Sequence, residues 1–240
     1  MRSATYRREY GALLEAVGDE PKAHSRRLNV FWPMEGRRHK NGVFLVGRAV
    51  NGWGDPYERA DFQDADRREA LIQAAYEYSG DQSEDCPLSW VRDRWGASPG
   101  YNTRRSPFWC VLHDVLSARG NTGDDWPSYA VWSNLYKVSP EQAEGAQGAN
   151  PSGRLLACQQ PLSAELLRLE VEEACPSVVL AITGRWWFEP FAEALGLAVE
   201  WCDGHVCGVA RTEAQTWLVT NRPEGKPRAD FVEEILSNLG

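Results

Sequence analysis

Apolar positions along the chain gather into four short runs bounded by turn-forming residues: "GVFLVG" at 42–47, "YAVWSNLY" at 129–136, "PSVVLAITG" at 176–184 and "TWLVTN" at 216–221. Runs of this length, rich in β-branched residues, predict buried strands. Between them the spacing changes to that of helices. "DADRREALIQAAYEY" at 64–78 places Leu71, Ala74, Ala75 and Tyr78 at helical intervals, and "SPFWCVLHDVLSARG" at 106–120 opens on a serine cap, carries proline in its first turn and stops at Gly120. Three more helices are predicted: one from Ser163 to just before Pro176, one over 185–195 ending at Gly196, and one closing the chain from Arg228. Strands alternating with helices predict a mostly parallel sheet with helices on both faces.

One segment departs from that alternation. "LAVEWCDGHVCGVAR" sets Asp203-Gly204 between two alternating runs, which predicts a small antiparallel hairpin in the carboxyl third. Residues 80–105 and 138–155 are rich in Gly, Pro, Ser and Asp and are predicted to be long loops, a length usually tied to function. No internal repeat is visible.

Ligands of such sheets sit beyond the carboxyl ends of the strands. The four strand exits carry Arg48, Asn51, Asn134, Tyr136, Lys137, Arg185, Asn221, Arg222 and Lys226. Amides and cations at all four ends of otherwise apolar strands point to a polar or anionic ligand.

A length of 240 residues with 42% hydrophobic content fits one substantial core, hence a single domain over 1–240. The chain has no run of about 18 apolar residues, and its first twenty lack the apolar centre of a leader; a cytoplasmic protein without membrane contact is expected. A net charge of −8 excludes a broadly basic nucleic-acid coat but leaves room for local basic groups such as Arg104-Arg105 and "NRPEGKPR". Eleven tryptophans are many, and several, Trp53 among them, fall near Gly- or Pro-rich loops, where a ring can stack on a flat ligand or pack against the loop.

The six scattered cysteines are expected to be mostly reduced. Cys202, His205 and Cys207 would share one face of the hairpin and could hold zinc with a fourth ligand, but cysteine is commonly buried for packing and no metal is assigned. His113, in an apolar helical run beside Asp114, is read as packed or paired rather than catalytic.

The block "VWSNLYKVSPEQAEGAQGANPSGRLLACQQPLSAELLRLEVEEACPSVVLAITG" at 131–184, preceded by "VFLVGRAVNGW" and followed by "TWLVTNRPEGKP", resembles the uracil-DNA glycosylase superfamily. The resemblance rests on the order of three motifs across about residues 43–227: a strand with a glycine-led loop, a strand ending in asparagine, and a strand ending in a loop where the family has His-Pro. It implies a three-layer α/β/α sandwich around a mostly parallel four-stranded sheet, here with the small C-terminal hairpin added. It also implies hydrolysis of a base–deoxyribose bond after the nucleotide is flipped out of the duplex.

Carried over position by position, the resemblance makes Asn134 the amide that reads the base edge, with Gly47, Arg48 and Trp53 as further base-binding candidates. Arg222 takes the place of the histidine, keeping its charge while losing proton transfer. Arg48 and Ala49 stand where the family has a carboxylate or amide, and neither can activate water. Asn51 is the preferred substitute for positioning water, with Asp55, in the Gly-Asp-Pro-Tyr at 54–57, as the second choice. Arg104, Arg105, Lys137, Arg185 and Lys226 are the candidate phosphate contacts. One family branch carries an iron–sulfur cluster, but this chain has no cysteine before Cys86 and has Val138 at the third ligand position, so no cofactor is expected.

The resulting expectation is a monomeric DNA N-glycosylase for an unusual or modified pyrimidine, such as a bulky modified cytosine of foreign or phage DNA. The alternative is a catalytically silent nucleic-acid or nucleotide binder on the same fold. Both require Gly47, Asn134 and Arg222 to border one cleft.

Overall fold

The four apolar runs fold as strands that are buried almost throughout, which is why they read as continuous apolar stretches rather than as alternation. The computed structural model describes residues 3–20, 27–50, 54–80, 84–141 and 150–239. In chain order these form α1 (Ala4–Asp19), β1 (Leu28–Val30), β2 (Met34–Glu35), β3 (Val43–Gly47), α2 (Ala65–Tyr78), α3 (Ser89–Asp93), α4 (Pro107–Ala118), β4 (Ala130–Asn134) and β5 (Val138–Pro140). They continue with α5 (Gly153–Ala174), β6 (Val178–Ile182), α6 (Arg185–Ala194), β7 (Glu200–Trp201), β8 (Val206–Arg211), β9 (Thr216–Thr220) and α7 (Arg228–Leu239). Two compact units are assembled from interleaved stretches: Met1–Pro33, Gly47–Gln82 and Ser133–Glu173 make the first, and Met34–Val46, Ser83–Trp132 and Ala174–Gly240 the second.

The first unit is built on α1. Ser3 caps it by accepting from the Tyr6 amide at 3.2 Å, and Tyr6, Tyr10, Leu13, Leu14 and Val17 lie buried along one face. They share a core with Trp32, Phe62, Leu71, Ile72, Leu155 and Leu166. A two-stranded antiparallel ribbon, β1 with β5, completes it, with Asn29 opposite Ser139 and Val30 opposite Val138. Thus part of the stretch expected to be a loop from 138 is strand.

The helix expected from Ser163 begins ten residues earlier, at Gly153, and runs through Pro161. Proline removes a helical hydrogen bond and disfavours helical geometry before it, so the sequence suggests a break. The helix nevertheless continues, and Gln159, two residues before the proline, ties this turn to β5. Its buried side chain accepts from the Val138 amide at 3.1 Å and donates to the Val138 and Leu155 carbonyls, both at 3.0 Å.

The second unit carries a seven-stranded mixed sheet in the order β2-β4-β3-β6-β9-β8-β7. β3 pairs parallel with β6 and β6 parallel with β9, while the β2–β4, β8–β9 and β7–β8 pairs are antiparallel. The predicted hairpin is therefore present as β7–β8, but it extends the sheet edge instead of standing apart; a lone two-stranded hairpin has too little buried surface to persist. From β3 the chain next joins the sheet at β4 on one side, whereas from β6 it proceeds toward β9 on the other, so the reversal in strand order falls between β3 and β6. α6 packs on β9, and α7 packs on β8, β9 and α4.

Gly208 fixes one detail of this unit that bears on a candidate site residue. It lies at an irregularity in the β8–β9 pairing, and a Cβ there would meet Trp201 ring atoms at 2.7 Å. The bare backbone lets Trp201 lie flat, and the Arg185 guanidinium sits over that ring at 4.9 Å. Gly208→Ala is expected to displace Trp201 and to lower stability by about 1–3 kcal/mol, the usual cost of overpacking, read as a lower urea midpoint.

Candidate functional site

In the first unit the glycine-led loop after β3 is strapped down at both limbs. On the outgoing limb, the Leu135 amide donates to the Gly47 carbonyl at 2.8 Å, the Tyr136 amide to the Arg48 carbonyl at 2.9 Å, and Ser139 Oγ to the Val50 carbonyl at 2.9 Å. On the returning limb, Asn29 Nδ2 donates to the Gly54 carbonyl at 3.3 Å, and Tyr57 exchanges two backbone hydrogen bonds of 2.8 Å with Leu28. Backbone groups thus spend their hydrogen bonds on holding the loop's ends. Asn51 and Trp53, the preferred water-positioning residue and a stacking candidate, lie outside the described residues. Arg48 and Ala49 are half-buried and Asp55 is exposed. Burial first, and then the Asp55 charge, raises the Tyr57 phenol above its ordinary value.

Asn134 ends β4 beside this loop, next to the residue that grips Gly47. It is 2% exposed, and its Nδ2 has no hydrogen-bond partner. Asn29, on β1, is also 2% exposed, and its Oδ1 has none. An unpaired buried polar atom costs about 1–3 kcal/mol, so native structures contain few of them and each calls for a reason. A buried donor and a buried acceptor, each on an asparagine that borders the same loop, are suited to a polar ligand. Sequence reasoning identified Asn134 and missed Asn29; its signal was a lone amide inside the apolar run "LNVFW".

Lys137 corrects an expectation. It was assigned to phosphate, but its side chain is 0% exposed and its ammonium is saturated: Glu170 at 2.8 Å, Ser133 Oγ at 2.9 Å and the Asn134 carbonyl at 2.6 Å. A charge so enclosed cannot reach DNA. Glu170, equally buried, also accepts from Tyr6 Oη at 2.7 Å and from Ser133 Oγ at 2.5 Å. The two charges and two hydroxyls satisfy one another and fix the backbone just after β4. Burial lowers the Lys137 pKa while Glu170 opposes the shift. Burial, reinforced by Glu170, raises the Tyr6 and Tyr10 phenols, and burial alone raises Tyr136 to about 12.

The remaining candidates belong to the second unit. Arg104 and Arg105 occupy a short 3-10 turn, Thr103–Arg105, and both are exposed. Arg185 is exposed, paired with Glu189 at 2.9 Å as well as stacked on Trp201. Arg222 is exposed and clasped by Glu224, its Nε lying 3.0 Å from both carboxylate oxygens. Lys226 is half-buried, and the Asn221 side chain donates to the Gly204 carbonyl at 2.7 Å. Trp186 is 69% exposed two residues after Gly184, whose φ of 81° favours glycine, and Trp187 meets it edge-on at 4.8 Å. Thr220, at the end of β9, is buried with an unpartnered hydroxyl that sequence reasoning did not flag. His113 pairs with Asp114 at 2.8 Å and stacks on Trp95. None of the six cysteines forms a disulfide.

No protein-family model matches the chain, and no curated protein matches it.

Removing one member of the buried pair strands the other. Lys137→Met should cost about 3–5 kcal/mol, and the double variant Lys137→Met, Glu170→Leu should recover much of that loss, as measured by urea unfolding. Stability should also fall in alkali. The folded-state values of Tyr6, Tyr10 and Tyr136 lie above the ordinary phenol value, so their contribution is complete below about pH 10 and is lost as pH rises through the folded values. The lowered Lys137 works in the opposite sense, one group against three. The urea midpoint should accordingly be lower at about pH 10.5 than at about pH 8.

Proposed function

We propose that this chain is a DNA N-glycosylase that takes up a base turned out of the duplex and hydrolyses its bond to deoxyribose, acting on an unusual or modified pyrimidine. The observation that carries the reading is Asn134: an amide 2% exposed, at the carboxyl end of a sheet strand beside a glycine-led loop, with an unpartnered Nδ2. An amide offers both a donor and an acceptor and so suits a pairing edge. The mixed sheet, with β4, β3, β6 and β9 consecutive, is compatible with the three-layer sandwich that the resemblance implies. The buried Lys137–Glu170 pair holds the Asn134 backbone through its carbonyl, and the unpartnered Nδ2 remains to donate to a ligand.

Hydrolysis leaves positive character on the sugar and negative charge on the departing base. A group that holds water is needed on the sugar side; the candidates are Asn51, which lies outside the described residues, and the exposed carboxylate of Asp55. Donation by Asn134 stabilises the base as it gathers charge. The exposed Arg104, Arg105 and Arg185 are the phosphate contacts of this reading, and Arg222 joins them by exchanging Glu224 for a phosphate. Lys137 is removed from the set.

Two observations favour the second reading, a silent binder of extruded bases: Arg48 and Ala49 replace the activating residue, and Arg222 is engaged by Glu224. Oligonucleotides bearing uracil, cytosine and bulky 5-substituted cytosines, scored for alkali-labile abasic sites, separate the two. The enzyme should yield abasic product from at least one modified base, with Asn134→Ala slower by about 100-fold, as for loss of one preorganised donor. Binding that weakens with salt but never yields product would select the silent binder, and binding unaffected by Asn134→Ala would remove both.

A further inference from the structure

We infer that Asn29 is a second base-reading residue, presenting the acceptor Oδ1 to a donor on the ligand while Asn134 presents the donor Nδ2 to an acceptor beside it. The inference rests on the reading of Asn134 as a base reader and adds a residue that no motif marks. Three observations lead to it. Asn29 is nearly sealed from solvent yet its Oδ1 is unpaired, whereas its Nδ2 is spent on the Gly54 carbonyl at 3.3 Å, a contact that fixes the amide with its oxygen left over. Gly54 is on the returning limb of the same loop whose outgoing limb, at Gly47, is held by the residue after Asn134. Finally, the ribbon that carries Asn29 is tied to that segment: Asn29 pairs with Ser139, whose Oγ holds the Val50 carbonyl at 2.9 Å, and the Phe31 amide donates to the Lys137 carbonyl at 2.9 Å. Both asparagines are therefore mounted on one backbone frame.

A structural asparagine in an interior ordinarily has both ends paired, because an orphan atom forfeits its hydration for nothing. An orphan acceptor and an orphan donor, each on an asparagine tied to the same loop, are complementary to a ligand edge with a donor next to an acceptor. Cytosine has that edge as its amino group beside the ring nitrogen, and uracil as its ring N–H beside a carbonyl. A single orphan would select neither.

The test uses free bases and titration calorimetry on the whole protein: cytosine against N4,N4-dimethylcytosine, and uracil against 3-methyluracil. Each methylated form lacks the donor. In the wild type, the base that is bound should be held about tenfold more tightly than its methylated form, the effect of one buried hydrogen bond. In Asn29→Leu that ratio should fall to about one, because the acceptor is gone. A merely steric effect of the methyl groups would persist in the leucine variant, and its persistence overturns the inference. Thermal unfolding supplies the structural control. Leucine of similar size removes the unpaired acceptor but also the Nδ2 hydrogen bond to the Gly54 carbonyl; these opposed effects should leave the melting temperature of Asn29→Leu close to that of the wild type. A lowered melting temperature with an unchanged ratio would make Asn29 a structural residue and overturn the inference. Asn134→Leu separates the two claims: if it weakens binding while Asn29→Leu does not, only the role of Asn29 fails. If neither base binds the wild type, the inference about Asn29 is overturned while the reading of Asn134 is decided by the abasic-site assay; where one base binds, the cytosine and uracil arms identify which edge is read.

Discussion

The buried ion pair of Lys137 and Glu170 governs the geometry of the first unit. Two opposite charges with 0% exposed side chains lose their hydration, and attraction between them compensates only when the remaining donors and lone pairs are filled. Here they are filled, by Ser133, Tyr6 and the Asn134 carbonyl. The arrangement ties three distant stretches, α1, the end of β4 with the turn after it, and α5, into one polar knot. An apolar replacement of similar volume could match its stability, but it would not dictate where the Asn134 carbonyl points.

Fixing that carbonyl has a consequence for the side chain attached to it. A residue whose backbone is held by an internal ammonium can leave its amide unspent, and the same unit tolerates a second unspent amide at Asn29. Each such atom works against folding, since water is excluded and nothing replaces it. Proteins accept this expense mainly at sites where a ligand completes the hydrogen bonding. The loop between the two asparagines is anchored by backbone contacts at both limbs, so the amides sit on a frame that binding need not reorganise.

Charge is distributed differently on the second unit. Arg185 and Arg222 are exposed but occupied by Glu189 and Glu224, and exposed pairs of this kind are worth little and exchange readily. Such arginines are available to a polyanion at low cost while an acidic chain of net charge −8 avoids indiscriminate adhesion.

The sequence by itself determined the elements whose signal is local. The strands at 43–47, 130–134, 178–182 and 216–220, the helices at 65–78, 107–118, 185–194 and 228–239, and the hairpin around Asp203-Gly204 follow from periodicity, caps and turn residues, which act between near neighbours. It also marked Asn134 as polar at the end of an apolar strand. Tertiary structure alone decided the rest. Lys137 looked like a phosphate ligand because a cation after a strand usually faces solvent; only the arrival of Glu170, thirty-three residues away, buried it. The start of α5 at Gly153, ten residues before the serine that looked like its cap, had no local signal, and the three-residue strand carrying Asn29 depended on β5, which is too short to announce itself. Burial and pairing are sums over residues remote in the chain, so whether a polar side chain is spent or left over is decided only once the chain has folded.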